Sequence, residues 1–469
     1  MLRKCFCKYK KVDLHLFMNQ PSKHPDLRVI ISNKQILKIA LPISAAIIVP
    51  QINFITNNIF LGGLGQQSLA VAGITGVYYL IFAVVGIGLN NGLQALIARR
   101  AGENRVDEIG NLFSQGVRIA IVLAIVGMLL TWFIAPAILK WSLHDEKNVR
   151  MAINFLNIRI VGLLFLYLYQ MRNALLVGTN QSKYLIIGTA SESVANIILD
   201  YALIYGKFGL PAMGFNGAAY ASVMAEFIGL FVIFLVIHYN GISKQLHLFK
   251  NFYYHAGNTK LILKQSSPLI AQHAISIISW EFFYILIEHH GERDLAVSNT
   301  MRNIFGFFGC FTWAFAATTS TMVSNIIGQG MQDRVIELIH KILKLSFIFS
   351  VTVAIIVNTF PHVFLSMYGQ GEDFIIAAIP VLRVVSVALV LMSVSVIWLN
   401  AVTGTGSSKV NLMIEAFTII IYCIYVYVVL EKLKWPITIG WGSEWVYWTC
   451  SFLPSYWYIK SGRWKKRKI

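Results

Sequence analysis

The sequence predicts an all-α integral membrane protein of twelve transmembrane helices in two six-helix lobes. Three observations lead to this fold class. Hydrophobic residues make up 57% of the 469-residue chain and charged residues only 13%, against about 25% charged in soluble domains. The mean hydropathy is +0.64. Twelve apolar stretches are long enough to cross a bilayer, and the second half of the chain repeats motifs of the first.

Each apolar stretch is separated from the next by a short polar loop. The first six lie near 36–61, 71–96, 113–139, 151–177, 184–206 and 214–239, and the second six near 261–289, 296–325, 336–360, 374–402, 410–431 and 436–459. These runs are too long for barrel strands and do not alternate with period two, so they predict helices.

The two halves are related by an internal repeat. Three motifs recur 226 residues later: Ile36-Leu37-Lys38 with Pro42, Leu69-Ala70-Val71, and Gly178-Thr179 with Ser182-Lys183. Because six helices return the chain to its starting side, both halves enter the membrane in the same direction. The predicted domains are a basic tail (1–35), a first lobe (36–239), a linker (240–260), a second lobe (261–459) and a basic tail (460–469).

The net charge of +18 reflects topology rather than nucleic-acid binding. The tails and loops on the side of the N-terminus hold 27 Lys and Arg residues and the opposite loops seven, so both termini are predicted to be cytoplasmic. The basic stretch Arg463–Lys468 is suited to anionic lipid headgroups. Five cysteines without a paired motif predict neither a disulfide framework nor a zinc site.

Two facing lobes predict a central cavity that opens to either side in turn, which is the architecture of an alternating-access transporter. No Walker motif or hydrolase signature occurs in the sequence. The 240–260 loop holds no Asp or Glu, which argues against a membrane-embedded glycosyltransferase. The chain is therefore predicted not to be an enzyme, and no cofactor is expected beyond a coupling ion.

Polar side chains inside the fifth span are the main candidates for that ion. Glu192, Asn196 and Asp200 follow one helical face at spacings of four residues. A carboxylate at membrane depth costs roughly 2.5–3.5 kcal/mol, so it needs a reason to be there. We expect Asp200 to bind H⁺ or Na⁺, with oxygen ligands from Asn196, Asn57 and Ser222. A hydrogen-bonded packing patch is the alternative.

Other polar and aromatic residues are candidates for the cavity wall. Glu281 could contact a cationic substrate or could pair with Arg302. Further candidates for the substrate cavity are Gln51, Asn53 and Phe311, with lipid-facing packing as the alternative for Phe311. Interior hydrogen bonding is expected of Glu226, Glu415 and Glu444. Arg159 and Arg383, which match between the halves, are expected to snorkel to the membrane interface.

Several motifs resemble those of the multidrug and toxic compound extrusion (MATE) family. They are Asn58-Ile-Phe-Leu-Gly-Gly-Leu-Gly65 with Leu69-Ala-Val-Ala-Gly73, Gly178-Thr-Asn-Gln-Ser-Lys183, and Asn196-Ile-Ile-Leu-Asp200 through Gly217-Ala-Ala-Tyr-Ala-Ser222. The resemblance runs from about residue 36 to 459. It implies a cation-coupled exporter of amphipathic, often cationic small molecules.

The sequence departs from the family pattern at its other acidic positions. Many relatives carry an Asp in the first helix where this chain has Asn57. The sodium-coupled branch has acids in helices seven and ten, and those positions hold Ser276 and Met392. The resemblance therefore carries no ion site into the second lobe, and it leaves Asp200 as the coupling residue.

The resulting expectation is a secondary antiporter of the bacterial inner membrane that exports organic cations or drugs. It would contact membrane lipids but no nucleic acid, and a monomer would suffice. Binding at Asp200 would repack spans one and five, with Pro42 and Pro50 as hinge points in the first helix. The alternative is a flippase for a lipid-linked oligosaccharide, which would need more cationic side chains in the cavity.

Overall fold

The computed structural model describes residues 27–143, 145–250 and 253–466, and its regular structure is helical. Most of the N-terminal basic tail and residues 467–469 lie outside the described residues. The α-helices are α1 (Asn33–Gly62), α2 (Gln66–Gly102), α3 (Val106–Ser142), α4 (Glu146–Arg159), α5 (Gly162–Gly178), α6 (Leu185–Tyr205), α7 (Phe215–Tyr239), α8 (Ile242–Gln245), α9 (Ala256–Glu288), α10 (Glu292–Gly328), α11 (Val335–Thr359), α12 (Pro361–Ser366), α13 (Glu372–Gly404), α14 (Ser408–Val426), α15 (Ile437–Gly440) and α16 (Ser443–Lys460).

The predicted transmembrane fold is confirmed. Among the described residues, eight helices are long and apolar enough to cross a membrane, and α4 with α5 makes a ninth span. Three further helices, α6, α10 and α16, have 21, 37 and 18 residues and are more polar. They coincide with the predicted spans five, eight and twelve. In α6 the polar residues include the predicted site residues Glu192, Asn196 and Asp200.

The predicted fourth span is not a single straight helix. It consists of α4 and α5, which meet at a 44° bend after Arg159. Gly162 begins α5, and a Cβ atom there would lie 2.1 Å from Oε2 of Glu226 and 2.5 Å from an Arg159 nitrogen. Only glycine leaves this space free, so the side chains of Arg159 and Glu226 can lie against the helix backbone at the bend.

The two lobes meet through helices that the repeat relates to each other. α2 packs on α9 and α10, and α1 packs on α10. The contacts lie on the terminal side of the molecule, which is the side where α1 and α9 begin and α2 and α10 end. There a Cβ at Gly102 would lie 1.9 Å from the Asn325 carbonyl oxygen, and Gln94 donates to Thr321 over 2.7 Å.

On the opposite side of the molecule, the described residues form no hydrogen bonds between the lobes. In the described part of the chain, the hydrogen bonds between lobes come from the terminal-side half, as in Ser324 to Ala95 and Arg99 to Gly404. No hydrogen bond between described residues links the lobes at the ends where α1 meets α2 and α9 meets α10. The lobes are therefore closed together on the terminal side.

An extended segment before α1 reinforces this closure. Leu27, Val29 and Ile31 are buried, and Asn325 of α10 brackets the segment: its Oδ1 accepts from the Val29 amide and its Nδ2 donates to the Leu27 carbonyl, both over 3.1 Å. Gln329 donates to the Val29 carbonyl over 3.0 Å. We call residues 27–31 the strap, because this end of the N-terminal tail leads into α1 of the first lobe and bonds to α10 of the second.

α1 runs without a break through both of its prolines. Pro42 and Pro50 lack the amide hydrogen that an α-helix interior uses, so each removes one backbone hydrogen bond. The prediction that they act as hinge points stays a prediction.

Candidate functional site

The candidate ion site lies between α1, α6 and α7 of the first lobe. α1 and α6 run side by side in the same direction, because Ser182 donates to the Lys38 carbonyl over 3.5 Å at one end and Tyr205 donates to the Phe60 carbonyl over 2.8 Å at the other. These partners differ by 144 or 145 in residue number, so Asn57 lies level with Asp200.

α7 packs against α6 and runs in the opposite direction. A Cβ at Gly217 would lie 2.6 Å from the Leu203 carbonyl oxygen, and one at Gly229 would lie 2.8 Å from the Glu192 Cβ. Between these two contacts, Asp200 is level with the stretch of α7 that holds Ser222. The predicted ligands Asn57, Asp200 and Ser222 therefore fall at similar depth in the lobe, and Asn196 lies one helical turn away from Asp200 along α6.

The polar atoms at this level are buried but unsatisfied. Asp200 is 0% exposed and neither carboxyl oxygen has a hydrogen-bond partner among the described residues. Three further buried atoms also have no hydrogen-bond partner among the described residues: Oδ1 of Asn53, Oδ1 of Asn57 and Nδ2 of Asn196. A buried carboxylate without partners is strongly unfavourable. The arrangement can be satisfied by a proton on Asp200 or by a small cation held by the carboxyl and amide oxygens.

A buried ion pair that the sequence reasoning missed lies nearby. Arg159 donates to Oε2 and Oε1 of Glu226 over 3.0 and 2.6 Å. It also donates to the Tyr79 hydroxyl over 3.0 Å and stacks 3.9 Å from the centre of that ring. The prediction that Arg159 snorkels to the interface is wrong, because its side chain is only 15% exposed and Glu226 lies near the middle of α7. Arg383, its repeat counterpart, is exposed.

Glu192 joins this charged group from α6. It is half-buried against Gly229, one turn along α7 from Glu226. Among the described residues, Arg159 forms its ion pair with Glu226 alone. Glu192 and Asp200 are the two further carboxyl groups that α6 brings to this part of the lobe.

The candidates for the substrate cavity are dispersed. Gln51 is exposed and Asn53 half-buried on α1. Glu281 lies 4.0 Å from Arg302, with both side chains about two-fifths exposed, which favours the pairing alternative. Phe311 packs against Phe349 of α11 with ring centroids 4.3 Å apart. The cavity role of these residues stays a prediction.

The second lobe has buried carboxyl groups of its own, as the expectation of interior hydrogen bonding proposed. Glu444 accepts from the indole N–H groups of Trp280 and Trp448 over 3.3 and 3.0 Å. Glu415 accepts from Ser276. Met392 is fully buried. Ser276, which replaces an acid of the family pattern, is therefore in contact with an acid that another helix supplies.

Comparisons with known proteins agree with this architecture. The MatE family model matches residues 42–202 and again 268–428, two segments that begin 226 residues apart. A probable multidrug resistance protein NorM of Thermotoga maritima is 23% identical over 86% of each chain. The one of Synechocystis sp. is 28% identical over 47% of each chain.

Solved structures share the fold. A transporter of the MOP superfamily from Pyrococcus furiosus superposes with a TM-score of 0.85 at 18% identity, over 94% of this chain and 98% of that one. An outward-facing multidrug resistance MATE family transporter superposes with a TM-score of 0.84 at 18% identity over the same shares. The family model matches each half of the chain once, and the two matches together cover more than half of its length. This multi-pass membrane protein therefore belongs to the MatE family of multidrug efflux transporters.

Proposed function

We propose that the chain is a secondary antiporter that exports small organic cations in exchange for H⁺ or Na⁺. The observation that carries the proposal is Asp200, which is fully buried with both carboxyl oxygens unpartnered. A group that transports a cation must release it again to water. Such a group therefore lacks hydrogen-bond partners when no cation is bound to it. Substrate and ion then compete through the two arrangements of the lobes.

The contact pattern of the lobes supports alternating access. With both termini in the cytoplasm, as the excess of 27 over seven basic residues favours, the closed terminal side faces inwards and the cavity opens outwards. Asp200 lies five residues before the end of α6, which is the end nearer to the open side. Uptake of an external cation at Asp200 is the step that this geometry favours. The cell inner membrane is the proposed location, with a monomer as the transporting unit.

The test is efflux of ethidium from vesicles that contain the purified chain. An inward H⁺ gradient and an inward Na⁺ gradient are imposed separately, and wild type is compared with Asp200→Asn. We expect efflux with one gradient, and a fall to the rate of protein-free vesicles in the variant. Asp373→Asn is the matched control, since Asp373 is an exposed aspartate in the first turn of α13.

Either of two results would contradict the proposal. Full gradient-driven efflux by Asp200→Asn would show that the ion binds elsewhere. No efflux by the wild type with either gradient would reject cation-coupled drug export and direct attention to lipid flipping, which is measured with a labelled lipid-linked saccharide in the same vesicles.

A further inference from the structure

The second lobe carries a polar stripe that the proposed exchange at Asp200 does not use. Asn411, Glu415, Thr418 and Tyr422 follow one face of α14, and none of them is more than 3% exposed. α14 is the repeat counterpart of α6. The offset of 226 pairs Thr189 with Glu415 and Glu192 with Thr418. Both lobes therefore carry a carboxyl group on the same helix face, displaced by one turn, and the one in the second lobe is fully buried.

The Glu415 carboxyl group is held by three neutral donors from two neighbouring helices. The hydroxyls of Ser276 on α9 and Tyr447 on α16 both donate to Oε1. Nε2 of Gln272 donates to Oε2 over 3.4 Å. Gln272 is itself fixed by Asn411, which donates to its Oε1 over 2.8 Å. A junction of three helices thus depends on one carboxyl group.

Unsatisfied buried atoms surround this group. Oγ1 of Thr418, Oδ1 of Asn411 and the hydroxyl of Tyr422 have no hydrogen-bond partner among the described residues. All three share the helix face of Glu415. The stripe is therefore not a fully satisfied packing network, which would leave few orphaned groups. It has spare hydrogen-bonding capacity on the helix face that carries the Glu415 carboxyl group.

The charged surroundings of Glu415 lack a cation. Within the described chain, no Lys or Arg forms an ion pair with it. The titratable group in contact with it is Tyr447. The nearest others bond or pack elsewhere: Tyr422 packs edge-on against the Tyr447 ring with centroids 5.8 Å apart, and Glu444 accepts from Trp280 and Trp448. On α9, His273 bonds instead to Asn91 of the first lobe over 3.1 Å. An ionised carboxylate here would have neutral donors only, deep in the bundle.

We propose that Glu415 is a second proton-binding site of this transporter. One proton adds to Oε1, and the resulting O–H donates to the oxygen of Ser276 or Tyr447, whose own hydroxyl hydrogen turns away. A proton suits the site better than Na⁺, because the groups that touch the two carboxyl oxygens all act as hydrogen-bond donors, and the Gln272 oxygen already accepts from Asn411. Its part in transport rests on the proposed antiport function, whereas proton binding itself does not.

Infrared difference spectra of the full chain in lipid vesicles test the binding directly. A step from alkaline to acidic buffer reveals protonated carboxyl groups by their C=O stretch. We expect one band that Glu415→Gln removes and that Tyr447→Phe shifts, because the phenol is a hydrogen-bond partner of the carboxyl group. Glu288→Gln, at an exposed helix end, should leave the band unchanged.

The outcomes separate the proposals. A band set unchanged in Glu415→Gln overturns the second site, as does a Glu415 band that Na⁺ removes at constant pH. Should Glu415→Gln fold poorly, Tyr447→Phe carries the test alone, and an unshifted band in that variant overturns the proposal. Ethidium efflux, measured in parallel, reports on the antiport function. Its absence in wild type would leave the infrared result valid.

Discussion

Replacing Arg159 by methionine should destabilise the protein strongly. The guanidinium makes two hydrogen bonds to Glu226, of 2.6 and 3.0 Å, and one to Tyr79 of 3.0 Å, with both charged side chains at most 15% exposed. Methionine fills much of the volume but leaves the Glu226 charge without its partner. Breaking a buried pair on one side costs about 3–5 kcal/mol, and we expect Arg159→Met to fall in this range.

The double variant Arg159→Met/Glu226→Gln should recover most of that loss. With both charges gone, no unpaired ion remains in the bundle. The neutral amide at position 226 keeps the Tyr79 hydroxyl, which lies 3.3 Å from Oε1 of Glu226, as a hydrogen-bond partner. We expect the double variant to lie within about 1–2 kcal/mol of wild type. The coupling energy between the two positions would then be several kcal/mol, far above the usual value for exposed pairs.

The measurement is equilibrium unfolding by SDS in mixed micelles, followed by the fluorescence of the chain's 11 tryptophans. Arg383→Met is the matched control, because Arg383 is the exposed counterpart of Arg159 in the repeat. Its effect should stay within about 0.5 kcal/mol. The reasoning would be refuted by a double variant as unstable as Arg159→Met, since the loss would then come from packing rather than from the stranded charge.

Two further predictions concern the closed terminal side. Gly102→Ala would place a Cβ 1.9 Å from the Asn325 carbonyl oxygen, so the lobes must separate there. The separation is measured as the distance between spin labels at Lys183→Cys and Lys409→Cys on a cysteine-free background, and it should rise in Gly102→Ala. Gly306→Ala is the control, because no atom lies within 4 Å of the added Cβ, and it should leave the distance unchanged. Equal distances in wild type and both variants would contradict the steric argument. Asn325→Leu removes two hydrogen bonds to the strap, each worth about 1 kcal/mol, so limited proteolysis should cut the strap several-fold faster. An unchanged cutting rate would show that apolar burial alone holds it.

The helices themselves were predictable because their signals are local. Apolar length sets where a chain can cross a bilayer, and loop composition sets where it turns back. The predicted spans therefore agree with the observed helices to within several residues, as with 36–61 against Asn33–Gly62. The repeat was visible in the sequence for the same reason. A duplicated segment keeps its spacing of 226 residues whatever its fold.

The placement of Asp200 was also within reach of the sequence. A spacing of four residues puts Asn196 and Asp200 on one helix face, and their burial follows from the apolar residues around them. That Asn57 and Ser222 lie near Asp200 in depth depended on which helices are neighbours, and the packing of α1 and α7 on α6 supplied that information. Their role as ligands stays a prediction.

Only the tertiary structure decided which polar groups meet. Arg159 and Glu226 are 67 residues apart and Ser276 and Glu415 are 139 apart, and nothing local in either segment encodes the contact. No proline in the sequence indicates the bend after Arg159. Gly162 matters there only because the ion pair of Arg159 and Glu226 occupies the space beside it. The side on which the lobes close depends on crossing angles between α2, α9 and α10, which arise from the fit of side chains across helices rather than from the composition of any one of them.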